Sequence, residues 1–195
     1  MGAPPRGGSF GPPRLSVSGP HDNGDHAAAL PRGAIEPGAA LIEREAVLID
    51  EQQWDAWLEL YTPDCEYWIP AWKSDGTLTA DPQRELSHIY YSSRAGLEDR
   101  VVRIRSGRSP ASTPMPRTTH MIGQIFAVTA PAADRLHLRS SWSCHVFFPR
   151  SGDTQAFFGR AEHTLVRRDG QWRIARRKTI LLNDLLPTMF DIYCV

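Results

Sequence analysis

The chain has 195 residues, 41% of them apolar and 23% charged, with 22 Lys plus Arg set against 22 Asp plus Glu. That is an ordinary composition for one globular domain with a real core. A formal net charge of zero gives no attraction to nucleic acid or to an anionic membrane.

Residues 1–38 hold eight Gly and seven Pro and one aromatic residue, Phe10. A segment this poor in apolar surface cannot offset its ordering entropy, so it is read as a flexible tail. The folded domain is expected to occupy residues 39–195. The first ten residues lack an apolar stretch, so no secretory signal is expected and the cytoplasm is the expected location. Met121–Ala133, the longest run free of charge and His, has thirteen residues and includes Gln124 and Pro131. A membrane-spanning helix needs roughly 20 apolar residues.

From Leu41 the pattern turns helical, with Ile42, Ala46 and Ile49 at i, i+4 and i+7. Asp50 then resembles an N-cap, with Gln53 as its capping-box partner. A second helix would carry Trp54, Trp57, Leu58 and Tyr61 and stop at Pro63. Cys65–Pro70 reads as a short strand, 72–82 as a polar loop, and Leu86–Tyr91 is ambiguous. Leu97, Val101 and Ile104 mark a third helix within Gly96–Ser106. Four antiparallel strands follow: Arg117–Thr129, Leu136–Phe148, Gln155–Arg167 and Gln171–Leu182. The second alternates cleanly, with Leu136, Leu138, Ser140, Trp142, Cys144, Val146 and Phe148 on one face. Asp169-Gly170 is a hairpin turn. In the last strand Trp172, Ile174 and Ile180 face one way, and Arg173, Arg177 and Thr179 the other. Asp191–Val195 suggests a terminal strand. Helices followed by a meander define an α+β fold, N-terminal helices packed in a curved antiparallel sheet, the cone of nuclear-transport-factor-like and cystatin-like proteins.

Motifs for chemistry are scarce. Cys65, Cys144 and Cys194 are odd in number and widely spaced, and read as small buried hydrophobes. A Rieske cluster needs paired Cys and His at short spacing, and no Cys here has a His two residues on. The His pair at short spacing, His21 and His26, lies in the Gly/Pro tail, where nothing would hold metal geometry. There is no phosphate-binding glycine loop and no nucleophile elbow. Arg173, Arg176, Arg177 and Lys178 form a basic cluster, either a solvated sheet face or a subunit interface. Arg173 and Arg177 are the interface candidates there. Among six tryptophans, Trp57, Trp142 and Trp172 fit core positions, while Trp68 and Trp72 near a loop are interface candidates.

Four stretches carry a resemblance. EREAVLIDEQQWDAWLELYTPDCEYWIPAW (43–72), GLEDRVVRIRSG (96–107), PRTTHMIGQI (116–125) and FGRAEHTLVRRDGQWRIARRKTILLND (158–184) resemble, in this order, the small or beta subunits of aromatic-ring-hydroxylating dioxygenases. The closing LLND and DIYCV look most like the benzoate, toluate and anthranilate branch. The resemblance implies a structural, non-catalytic subunit with no cofactor of its own. It implies a large (alpha) subunit partner, an α3β3 hexamer, and a Rieske 2Fe-2S cluster and mononuclear iron in that partner. The reaction implied for the complex is cis-dihydroxylation of an aromatic ring with O2.

A second reading remains open. Cone folds also host isomerases and dehydratases with an acid–base pocket. Asp64, Tyr67, His120, His145 and His163 are the residues such an enzyme would use. It requires several of them to converge on an open cavity. A non-enzymatic ligand-binding module is a third possibility and requires a roomy pocket.

Overall fold

The computed structural model describes residues 32–108, 112–184, 186 and 190–195. The tail reading for residues 1–31 lies outside them. A short 3-10 turn, Arg32–Ala34, leads into helix α1, Glu36–Asp50. α1 therefore begins inside the stretch assigned to the tail, three residues before the expected domain start. Helix α2 is Trp54–Leu58 and α3 is Arg94–Arg105. The strands are β1 (Tyr61–Pro70), β2 (Ser87–Tyr91), β3 (Arg117–Ala127), β4 (Arg135–Phe148), β5 (Asp153–Arg168) and β6 (Gln171–Leu181).

They form one six-stranded sheet in the order β2-β1-β6-β5-β4-β3. Every neighbouring pair is antiparallel except β1–β6, which is parallel. The meander β3 to β6 thus appears as expected, and β1 docks beside its last strand. Helix α1 packs across the inner face of the sheet, most extensively against β3. Contact at the start of α1 is tight. A Cβ on Gly38 would sit 2.7–2.9 Å from Cδ1 atoms of Leu136, Leu138 and Leu165, so a larger residue there would have to push these leucine side chains aside.

β4 buries Leu136, Leu138, Ser140, Trp142, Cys144 and Val146, the face its alternation marks out. The Asp169-Gly170 turn has φ of 51° and 78°, the two left-handed residues of a type I′ hairpin. β6 departs from its expected facing. Adjacent residues Thr164 and Leu165 of β5 pair with Arg176 and Ile174 of β6, which leaves Ala175 as an extra, bulged residue. Beyond the bulge the alternation is inverted. Arg177 and Thr179 point into the core, at 5% and 0% exposure, rather than away from it.

Two further expectations are corrected. Asp50 ends α1 and caps nothing after it; Gln53 precedes α2 without a side-chain cap. Asp191–Val195 adds no strand. Ile192–Cys194 is a 3-10 turn whose start is capped by the Asp191 carboxylate, which accepts from the Ile192 N–H at 2.7 Å. Arg100 of α3 grips the same carboxylate from Nε at 2.7 Å and Nη2 at 2.5 Å. This pins the fully buried Ile192, Tyr193, Cys194 and Val195 in the interior.

The core is continuous from α1 through the inner sheet face. Its aromatic centre is Trp57, whose ring lies 5.2 Å from Tyr61 and 6.5 Å from Tyr67, edge-on to both. Trp57 has 0% exposure. Trp57→Ala should destabilise the chain by about 3–5 kcal/mol, the usual cost of emptying a large aromatic site. Urea unfolding of the purified chain measures it; a change below about 1 kcal/mol would remove Trp57 from the core.

Candidate functional site

The apolar stripe of α1 contains one carboxylate. Glu45 lies between Ile42 and Ile49 on the buried face and is 2% exposed. An unpaired carboxylate there would cost many kcal/mol, so partners must reach it. Arg177, turned inward by the β6 bulge, donates from Nη1 to Glu45 Oε1 at 3.0 Å. The Tyr61 hydroxyl of β1 donates to the same oxygen. His163 of β5 places Nε2 3.6 Å from Oε2. Arg177 Nη1 also donates to the Tyr67 hydroxyl at 3.3 Å, and its guanidinium lies over the Tyr67 ring at 5.3 Å.

Burial by itself would raise the Glu45 pKa. The Arg177 charge and the contacts from His163 and Tyr61 overcome it and hold the carboxyl at about 2. Burial lowers the His163 pKa and outweighs the pull of Glu45, so this imidazole favours its neutral form. Burial pushes both Tyr61 and Tyr67 above their ordinary values, so they stay phenols. The cluster is an ionised pair wrapped in neutral donors.

A second carboxylate stands one turn and a half further along α1. Asp50 Oδ1 accepts from Thr118 Oγ1 and from His120 Nδ1, both at 2.7 Å, and Oδ2 accepts from the His120 backbone N–H at 2.8 Å. Partial burial opposes ionisation of Asp50, but these bonds hold its pKa below the usual value. Asp50 therefore ties the end of α1 to edge strand β3.

Between the two clusters lies a cavity of about 10 Å³, lined by Glu45, His120, Ser140, Trp142, His163 and Arg177 among others. That is room for roughly one water, while small-molecule sites run to about 300–1,000 Å³. Of the five acid–base candidates, Tyr67, His120 and His163 come to this interior. Asp64 and His145 are exposed and elsewhere. The convergence the dehydratase reading asks for is partial, and the space for a substrate is missing at that point.

The four interface candidates fall in different settings. Trp68 is 2% exposed; its Nε1 donates to Ser87 Oγ at 2.8 Å and Lys178 Nζ lies 4.8 Å over its ring. Arg177 is committed to Glu45. Trp72 is half-buried and donates from Nε1 to the Leu181 carbonyl at 2.6 Å. Arg173 donates to the Glu59 carbonyl and, at 2.8 Å, to Gln171 Oε1. It lines an open groove of about 380 Å³ with Leu41, Arg44, Leu60 and Trp172. Trp172, expected in the core, is only partly buried there.

No three His, Cys, Asp or Glu side chains converge on a metal-sized site among the described residues. Cys65, Cys144 and Cys194 are free and buried, and burial pushes the Cys65 and Cys194 thiols up to about 12 and raises that of Cys144. These residues do not fit an iron–sulfur cluster, which takes thiolates. No helix among the described residues is long and apolar enough to cross a membrane. Sequence reasoning missed Glu45, Asp50 and Tyr61 as site residues. Glu45 was detectable: it sits at i+3 from Ile42 within the apolar stripe.

Stability should fall on acidification in two stages. Folding holds His163 below its free value of 6.5, so its contribution is complete above that pH and declines beneath it. Folding also depresses Glu45, so its contribution is present above pH 4.5 and is lost between 4.5 and about 2. Thermal unfolding against pH reads both. His163→Gln should flatten the upper stage and keep the lower; a variant curve parallel to wild type from pH 7 to 5 would refute the assignment.

The comparisons with known proteins agree with this architecture. The profile of a family described as "Ring hydroxylating beta subunit" matches residues 44–188. The 2-halobenzoate 1,2-dioxygenase small subunit of Burkholderia cepacia is 42% identical over 156 residues, 80% of this chain and 93% of that protein. The anthranilate 1,2-dioxygenase small subunit of Acinetobacter baylyi is 40% identical over 152 residues, 78% of this chain and 91% of that one. The crystal structure of the benzoate 1,2-dioxygenase beta subunit of Burkholderia mallei superposes with a TM-score of 0.65 at 31% identity, covering 80% of this chain and 94% of that one. The chain belongs to the beta, or small, subunit family of aromatic-ring-hydroxylating dioxygenases.

Proposed function

We propose that this chain is the non-catalytic, structural subunit of a Rieske non-haem iron dioxygenase that cis-dihydroxylates a benzoate-like ring. The observation that carries this reading is the high identity to small subunits named for 2-halobenzoate and anthranilate dioxygenases over nearly their whole length. The filled interior is in keeping with it: Trp57, Tyr61, Tyr67 and Tyr193 fill the space beside α1, and what remains by Glu45 holds about one water. The dehydratase alternative lacks the cavity it needs there.

In this reading the 2Fe-2S cluster and the mononuclear iron belong to a large subunit, and three copies of each chain form an α3β3 hexamer in the cytoplasm. The small subunit contributes rigidity and spacing. The working unit is a single domain from residue 39 onward, extended back to Ile35 by the start of α1. Trp72 and Arg173 sit at opposite ends of β6, so they would serve two different contacts. Arg173, beside the groove of Leu41, Leu60 and Trp172, has the planar fork that interfaces favour. Trp68 and Arg177 would support these contacts from behind, by fixing β1 and β6.

Co-expression with a cognate large-subunit gene is the test. The expected outcome is one complex in which separated subunits leave all iron with the large chain. A monomer that binds iron or turns over a small molecule alone would overturn the reading. Arg173→Glu should lower the yield of complex at an unchanged thermal midpoint of the isolated chain; full assembly of this variant would remove Arg173 from the interface.

A further inference from the structure

The interior contains an unusual number of buried polar atoms without a protein partner. His120 Nε2, Ser140 Oγ, Trp142 Nε1 and both ring nitrogens of His163 are inaccessible and make no hydrogen bond. All four residues line the same cavity of about 10 Å³. Their side chains come from β3, β4 and β5, and face the Glu45 turn of α1. Each atom left dry would cost about 1–3 kcal/mol, so five together are untenable without a partner. A void of this size, roughly one probe sphere, holds a single water when two to four polar groups line it.

We propose that this cavity is a structural hydration site for one water molecule, held by His120, Ser140, Trp142 and His163. The donor and acceptor roles balance. With Nδ1–H donated to Asp50, the tautomer that carries a single ring proton leaves His120 Nε2 as an acceptor. His163 directs Nε2 toward Glu45, so in its neutral form Nδ1 is an acceptor as well. The Trp142 indole N–H can only donate, and the Ser140 hydroxyl is free to donate. Water has two protons for the two imidazoles and two lone pairs for the indole and the hydroxyl. No larger ligand fits a cavity of about 10 Å³, and Arg177 Nε, also buried without a partner on its wall, is a further donor toward the water oxygen.

The water would join two carboxylate-anchored histidines into one network. Asp50–His120 on one side and Glu45–His163 on the other would no longer be separate clusters but the two ends of a chain crossing from β3 to β5. This inference is independent of the role assigned to the chain within a complex.

A crystal structure of the full chain near atomic resolution, alone or with its large subunit, tests it directly. The expected result is one isolated density peak within about 2.6–3.2 Å of at least three of the four named atoms. An empty cavity at that resolution overturns the proposal. Ser140→Ala gives a second readout whose sign separates the cases. With water present the substitution strips it of a partner, and the thermal midpoint should fall by about 2–4 °C. In a dry cavity it removes an unsatisfied hydroxyl, and the midpoint should hold or rise; that outcome also overturns the proposal. The small size of the change makes a failure to fold no obstacle, since a hydroxyl is all that is lost.

Discussion

Glu45 is the constraint around which the interior is arranged. Its backbone belongs to the buried stripe of α1, so its carboxylate cannot reach water without dismantling the helix–sheet contact. Partners must come to it, and they do so from three strands: Tyr61 from β1, His163 from β5 and Arg177 from β6. Of these only Arg177 supplies the opposite charge. β6 presents it inward because Ala175 is bulged, which inverts the alternation between Ile174 and Arg177. Buried ion pairs contribute little net stability relative to well-packed apolar residues, but breaking one costs about 3–5 kcal/mol. The consequence is selectivity of register. A slip of β6 by one residue would turn Arg177 outward, strand Glu45 and leave a guanidinium on the wrong face.

The same accounting shows why some elements were legible in the sequence and others were not. β4 could be read residue by residue, because its alternation runs unbroken from Leu136 to Val146. The β5–β6 hairpin was equally plain, since Asp-Gly suits the two left-handed positions its turn requires. β6 could be located but not oriented. A bulge at an alanine has no local signature, and the carboxylate that its inverted Arg177 pairs with lies in α1, far earlier in the chain. Asp50 was misassigned for a related reason. An aspartate followed three residues later by Gln53 looks like a capping box, but Thr118 and His120, distant in sequence, offered that carboxylate three hydrogen bonds. Local preference yielded to tertiary partners. The terminal Asp191–Val195 followed the same rule: a strand was expected there, and Arg100 and the cap on Ile192 hold it as a 3-10 turn instead.

The site itself was half visible. Tyr67, His120 and His163 stood out as residue types that do chemistry, and the fold brings all three to the interior. What joins them are Glu45 and Asp50, one helical face apart, which a search for exposed catalytic groups passes over. The resemblance to a dioxygenase subunit was carried by ordered stretches spanning most of residues 43–184, and the family match over 44–188 covers nearly the same span.

These observations bear on how a chain with a filled interior can matter to a reaction. The cone fold does not dictate an active site; it offers a concave sheet face that a helix and side chains either fill or leave open. Here α1, the Trp57–Tyr61–Tyr67 cluster and the terminal turn fill it. An apolar filling alone would tolerate several packings of similar energy, since cores lose uniqueness before they lose stability. Two ionised groups with directional partners on four different strands tolerate far fewer, because each alternative arrangement strands a buried charge. For a subunit proposed to hold other chains at fixed separation, a single rigid arrangement is the property that counts. In that proposed role, the polar interior would serve the reaction at a distance, through the shape it imposes on the outer surface.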